Sequence, residues 1–322
     1  MPANSALVRP EESVVHELPG LEVDNLLAIL ALLGLLQSLE EDKQDWQPRA
    51  SWAGAPWIAR LHLAASATQQ QVAEAAARGV KRIASQFDVD SRKNVDFERQ
   101  EFRSFAERCR TAPVQAALAS ALTAEHPQKK SGGLRAAPLV LMFGQGHQNF
   151  LERLVAVSLG RGHVGREKSK SSADFSDPRY IAEALFRPWR RVDPTEAFRW
   201  DPEEDQRYAL RFGDPSKAGA AKTVHGANRL AAVGLLSFPC APGARELNVP
   251  GATRDDGVVF VWPVWTEPLS LQAVRRLMSH PGLFGSARRD LPSLGVAEVY
   301  GARRVSNGKF MNVTRGVPRR QP

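Results

Sequence analysis

The hydrophobic pattern is densest between Leu18 and Leu39, and from Leu26 to Leu36 no position carries a polar side chain. A surface helix shows charge every few residues, so a stretch that is apolar on every side has to be buried. Its apolar run rises only about 16 Å as a helix, short of the roughly 20 residues a bilayer span needs. It also starts too far in, behind acidic residues, to act as a signal peptide. The pattern predicts a central core helix over 23–39. Asp24 is placed to cap it, since its carboxylate can accept from the free N–H groups of the first turn. Glu40, Glu41 and Asp42 oppose the dipole at a helix C-terminus, which assigns them to an exposed turn.

Residues 1–17 read as an extended or flexible lead-in. Residues 57–63 alternate like a strand, with His62 on its polar, surface phase. Val72, Ala75, Ala76, Val80 and Ile83 recur at helical spacing, predicting a helix over 68–86 capped by Thr68. One or two further helices are expected over 97–121, broken at Pro113. Residues 126–133 read as a mobile basic loop and a candidate linker. An apolar run at 138–143, a helix over 149–159, a polar basic loop over 160–172 and a short helix over 178–186 follow.

Beyond this the composition shifts. Residues 188–217 are rich in Asp-Pro turns around a strand-like alternation at 206–212. An apolar helix is predicted over 227–236, and the clearest strand over 257–265. Pro263 inside that strand calls for an edge position or a bulge. A helix over 270–278 capped by Ser270 is followed by strands over 296–305 and 309–313, joined by a turn at 306–308. The fold class expected is α+β: a helical N-terminal half around the Leu-rich helix and a mixed C-terminal module with a small antiparallel sheet. A boundary between 1–187 and 188–322 fits the composition shift, and one continuous domain fits it as well.

Charge adds direction. The net charge of +8 is carried entirely by residues 271–322, with ten Lys/Arg against Asp290 and Glu298. The first 45 residues hold nine acids against Arg9 and Lys43. A map polarised in this way suits a protein that meets nucleic acid with one end; a solvated basic tail is the plainer reading. Cys109 and Cys240 are isolated and form no zinc pattern or disulfide framework. They suit a reducing cytoplasm, so a soluble cytoplasmic protein without membrane contact is expected.

The chemical motifs are weighed against that background. Gly160-x-Gly-x-x-Gly165 matches a dinucleotide fingerprint literally, but a helix precedes it and a charged loop follows, the reverse of what that chemistry needs. Arg161, Arg166, Lys168 and Lys170 of that loop can instead meet phosphates. His147 in Gly144-Gln-Gly-His147 reads as ordinary polar capping. Asp201, Glu203, Glu204 and Asp205 read as a solvated acidic loop ahead of a nuclease metal site. Asn228 and Arg229, at the start of an apolar helix, can hold a phosphate. Trp262, Trp265 and Tyr300 lie among basic strands, where aromatics can stack bases, although their apolar neighbours favour core packing. No cofactor or metal is implied.

Three stretches carry a resemblance. They are residues 18–36, with Asn25-Leu-Leu-Ala-Ile-Leu-Ala-Leu-Leu-Gly-Leu-Leu36; residues 198–216, leading into His225-Gly-Ala-Asn-Arg-Leu-Ala231; and 258–268 with Ala302-Arg-Arg-Val-Ser-Asn-Gly-Lys-Phe-Met-Asn-Val-Thr314. Together they resemble a CRISPR-associated protein family of type I-G (formerly I-U) systems, sometimes labelled an extension of the Cascade helicase–nuclease. The first stretch is also similar to the start of Cascade large subunits. The resemblance implies a non-enzymatic subunit of a type I interference complex that contacts guide RNA or target DNA, or recruits the helicase–nuclease. The chain has no Walker A motif and no HD dyad, so ATP hydrolysis and cutting would lie elsewhere. The residues expected to contact phosphate are Arg229, Arg303, Arg304, Lys309 and Arg315, with Arg161 and Lys168 behind them. A protein–protein adaptor and an unrecognised metal-dependent nuclease are the alternatives; His147 and Asp205 are the residues to test for the latter.

Overall fold

The Leu-rich helix is the axis on which the rest of the chain packs. In the computed structural model, which describes residues 14–125, 134–141, 149–164, 171–195, 197–203, 222–243, 247–254, 257–285, 288–307 and 310–319, it runs Leu26–Asp42 (α1) and follows strand Val14–Glu22 (β1). Its cap is Asn25, whose side-chain oxygen accepts from Leu27 N at 3.0 Å. Asp24, the expected cap, is instead drawn to Arg315. The helix also runs through the acids assigned to a turn: Asp42 pairs with Arg78 and Arg82, which offsets the unfavourable dipole contact. Among the described residues no helix is long and apolar enough to cross a membrane.

Strands Arg49–Ala53 (β2) and Ile58–Leu63 (β3) form an antiparallel sheet with β1. The lead-in therefore becomes a paired strand from Val14 onward. His62 is half-buried rather than on the surface and shares a 2.8 Å hydrogen bond with Ser51. Helix Gln69–Ala84 (α2) is capped by Thr68 as its sequence predicts, and Gln71 completes a capping box. Helices Arg99–Cys109 (α3) and Pro113–Leu122 (α4) follow. Pro113 opens α4, where its missing N–H has no helical partner to lose. Thr123–Ala124 (β4) pairs with Arg135–Ala136 (β5). Helix Phe150–Ser158 (α5) leads into Arg161–Val164 (β6), which pairs with Ser171–Asp174 (β7). The ends of the expected basic loop thus form a ladder: backbone pairing does not need apolar side chains, so the polar sequence conceals it.

Helix His225–Gly234 (α7) packs along α1, and helix Pro178–Phe186 (α6) packs on α7, α2 and β1. The α1–α7 crossing is close. A Cβ on Gly34 would lie 1.8 Å from Leu230 O, and one on Gly234 2.0 Å from Leu30 O. Two glycines facing each other let the backbones touch directly.

After Ala241–Pro242 (β8) and Leu247–Asn248 (β9), the C-terminal sheet is built from Ala252–Arg254 (β10) and Val258–Trp265 (β11). Strand Leu269–Ser270 (β12) and helix Leu271–Met278 (α8) intervene before Val296–Asn307 (β13), Phe310–Val313 (β14) and Val317–Pro318 (β15). The order among described residues is β10-β11-β13-β14, with β15 on β13. β10 covers only Val258–Phe260, so Pro263 sits where β11 has a single partner, next to a bulge at Val264/Trp265. The chain is thus an α+β fold.

The expected boundary at 187/188 is crossed repeatedly. β12 adds to the N-terminal sheet through β2. Trp262 Nε1 donates to Val23 O at 2.8 Å, and Trp265 Nε1 to Ala50 O at 2.6 Å. Both tryptophans are core residues, and Tyr300 stacks on Trp262 with ring centroids 6.4 Å apart. The proposed strand at 206–212 and the linker at 126–133 lie outside the described residues.

Candidate nucleic-acid interface

Strand register places one row of side chains across the C-terminal sheet. Arg254 pairs with Val258, Val259 with Arg303, and Arg304 with Val313. Alternate residues of a strand share a face, so Arg254, Val258 and Arg304 stand side by side. Met311, paired with Ser306 two residues beyond Arg304, joins them. Arg303 points to the opposite face and is exposed. The segment after β4 supplies a facing wall that carries Arg135, Leu134 and Val140, and Leu247 of β9 closes the floor. The result is a cleft of about 210 Å³ in which Arg135, Arg254 and Arg304 converge, and among the described residues no acid lines it. Segments 126–133, 244–246, 255–256 and 308–309, outside the described residues, carry in sequence Lys129, Lys130, Arg245 and Lys309, with the acids Glu246, Asp255 and Asp256.

Of the residues expected to contact phosphate, the structure brings only Arg304 into this cleft. Arg161 is exposed on β6. Lys168 and Lys309 lie outside the described residues, as do Arg166, Lys170, His147, Glu204 and Asp205. Arg135 and Arg254 were not anticipated from sequence. Each is a lone arginine in an unremarkable local context, and only non-local pairing brings them together.

Arg229 is 2 % exposed. Its guanidinium donates to Ser176 O at 3.0 Å and to Phe175 O at 3.2 Å. Burial lowers its pKa to about 10, opposed by Asp174 and Asp177. The helix-start arginine thus ties the β7–α6 connection to α7, and a phosphate contact from it would require those bonds to break.

Arg315 is engaged in a second way. It donates to Glu22 at 3.0 Å and to Asp24 at 2.8 Å, and it also pairs with Glu203. Burial opposes its charge, but the carboxylates of Glu203, Asp24 and Glu22 outweigh burial and hold its pKa above the ordinary arginine value. Beside it Arg191 binds the fully buried Asp201 through Nε at 2.7 Å and a terminal nitrogen at 3.1 Å. Asp201 also accepts from Asn25 at 3.1 Å and from Glu203 N at 3.1 Å. Arg191 takes φ +50°, a left-handed conformation that costs a non-glycine residue about 1 kcal/mol or more and is maintained here by the bidentate pairing. Asp201 and Glu203, expected in a solvated acidic loop, are instead structural partners of arginines. These ion pairs form a knot that joins the N-terminal strand, Arg191, Asp201 and Glu203, and the C-terminal tail at Arg315. Among the described residues no group of three or more His, Cys, Asp or Glu is arranged to hold a metal ion.

His225 opens α7 and is fully buried against Phe175 and Tyr180, with ring centroids at 4.7 and 6.3 Å. Neither ring nitrogen has a hydrogen-bond partner among the described residues. Burial, reinforced by the charge of Arg229, lowers its pKa to about 3. Below pH ~6.5 the unfolded chain takes up a proton at this histidine that the folded chain refuses. Its contribution is therefore intact above that pH and declines as pH falls toward about 3, by up to about 1.4 kcal/mol per pH unit. In urea titrations across this range, His225→Phe should lose stability less steeply in acid than the wild-type chain. The slope should not vanish, because burial also lowers the pKa of His16 and His62. Equal acid slopes in both proteins would refute the assignment.

Two larger grooves carry mixed charge. One, of about 510 Å³, sets Arg187 and Arg190 beside Glu183 and Asp193. The other, about 780 Å³ between α2 and α6, mixes Arg179 and Arg187 with Glu74, Asp177 and Glu183. Neither offers the single sign that a phosphate chain favours. Comparison with protein-family models, with curated proteins and with solved structures finds no match to this chain.

Proposed function

We propose that this chain is a non-enzymatic subunit of a type I CRISPR interference complex, working in the cytoplasm, and that it contacts guide RNA or target DNA through the Arg135–Arg254–Arg304 cleft. The convergence of three arginines from separate segments on one cleft supports the nucleic-acid part of this reading. The assembly, and the absence of chemistry, rest on the resemblance of the three sequence stretches. Asp201 and Glu203, two of the acids weighed for a nuclease site, are engaged by Arg191 and Arg315, while His147, Glu204 and Asp205 lie outside the described residues. An adaptor that docks other subunits through its acidic N-terminus and basic C-terminus is the alternative; of those N-terminal acids, Glu22 and Asp24 pair with Arg315.

Fluorescence anisotropy with labelled oligonucleotides tests this. Arg304→Glu should weaken binding at least about tenfold, because it removes one phosphate contact and adds a repulsion; tenfold corresponds to about 1.4 kcal/mol. The same charge change at exposed Lys81, on α2 and outside the cleft, should have little effect. Equal losses from both variants would mean that only net charge matters, and the cleft would not be the site.

A further inference from the structure

The two mixed-charge grooves share a ridge, the outer face of α6. Glu183 and Arg187 line both grooves, so they stand on the ridge itself. Both are exposed, and they lie one helical turn apart, the spacing at which a glutamate pairs with a following arginine. Here they form no such pair, and among the described residues no hydrogen bond or ion pair holds either side chain. Arg179, one turn earlier, is already tied to Asp177 at 3.8 Å and to the Tyr180 hydroxyl at 3.1 Å.

The flanks of the ridge are apolar. Pro188 is exposed, and Val192 is 52 % exposed. Trp189 is partly buried between them, and its indole N–H already donates to Ala184 O at 2.8 Å. Covering that ring therefore leaves no polar atom without a partner. Across the ridge, the small residues Ala73 and Ala182 line the groove between α2 and α6, where another helix can approach closely. Apolar and aromatic surface beside arginines is the make-up of a protein interface.

The mixture of signs selects the partner. A surface that meets its own copy across a two-fold axis must complement itself, because each contact occurs twice with the roles exchanged. A patch of one sign would repel its copy; an acid and a base one turn apart meet the requirement. Two α6 helices set antiparallel about an axis midway between Glu183 and Arg187 place the glutamate of each copy opposite the arginine of the other. We infer that the α6 ridge docks a second copy of this chain in this way, each ridge seated in the other's α2–α6 groove. This surface shares no residue with the Arg135–Arg254–Arg304 cleft, so failure of either assignment leaves the other standing.

Sedimentation velocity of the full chain over a range of concentrations tests it. The parent should show a monomer–dimer equilibrium. Arg187→Glu alone, or Glu183→Arg alone, should weaken dimerisation at least about tenfold, because both symmetric contacts become like-charged. The double variant, Glu183→Arg with Arg187→Glu, should dimerise as the parent does yet form no mixed dimer with it. Recovery in the double variant excludes a folding defect as the cause of the single losses. A parent that stays monomeric would overturn the inference and leave the groove to another occupant. A dimer indifferent to the single reversals, or a loss that the double variant fails to restore, would equally overturn it.

Discussion

Alanine at position 34 should strip the protein of much of its stability. Replacing glycine by alanine inside a helix ordinarily stabilises it by about 1 kcal/mol. Here the sign reverses, because the added carbon would sit 1.8 Å from Leu230 O on α7. That neighbour is backbone and cannot rotate away, so α1 and α7 must separate. Moving apart these two helices loosens contacts along both, including those of the buried Leu27, Leu30, Leu230 and Val233. Overpacking against side chains costs about 1–3 kcal/mol, and against backbone the expected loss is about 3 kcal/mol or more, a large share of the 5–15 kcal/mol typical of a domain. Gly234→Ala should behave alike, since its Cβ meets Leu30 O at 2.0 Å. Thermal and urea denaturation read the effect directly. A Gly34→Ala protein as stable as the parent would mean that the two helices do not cross at this distance.

Removing the carboxylate of Asp201 should cost nearly as much. It accepts from Arg191, Asn25 and the Glu203 backbone while fully buried. Breaking a buried pair by deleting one partner typically costs about 3–5 kcal/mol, because the other charge is left without its counterpart. Arg191 retains Glu22 and Glu203 at 3.8 and 3.4 Å, so the expected loss for Asp201→Ala lies near the lower end, about 3 kcal/mol. Asp201→Asn, which keeps the shape, should lose less. The loss should appear as a shift in urea midpoint with an unchanged slope. If Asp201→Ala were neutral, the knot would not be holding the N-terminal strand to the C-terminal tail.

The pattern of the sequence goes far toward the fold. The Leu-rich helix, the caps Thr68 and Ser270 and the Pro263 edge position all follow from local chemistry, and each occurs. What escaped depends on distant partners. Asp24 and Asn25 are equally good caps in sequence, and the choice falls to Asn25 because Arg315, far along the chain, engages Asp24. Arg229 looks like a phosphate ligand at a helix start. That α7 lies wholly inside the protein follows from its Gly234–Gly34 contact with α1, which no local window contains. The charge polarity was legible, but not that acidic and basic ends partly neutralise each other through Arg315. The cleft is the least legible feature. Arg304 could be named from the basic C-terminus, whereas Arg135 and Arg254 become its neighbours only through register and the packing of the 134–140 segment.

The most direct measurement of the cleft's role is the salt dependence of single-strand binding. Each phosphate neutralised contributes about 0.7 to the slope of log K against log salt concentration for a single strand. If Arg135, Arg254 and Arg304 each hold a phosphate, replacing all three by alanine should lower the magnitude of that slope by about 2, with the folded state verified by an unchanged urea midpoint. A slope that stays the same in the triple variant would place the phosphates elsewhere on the protein and contradict the account.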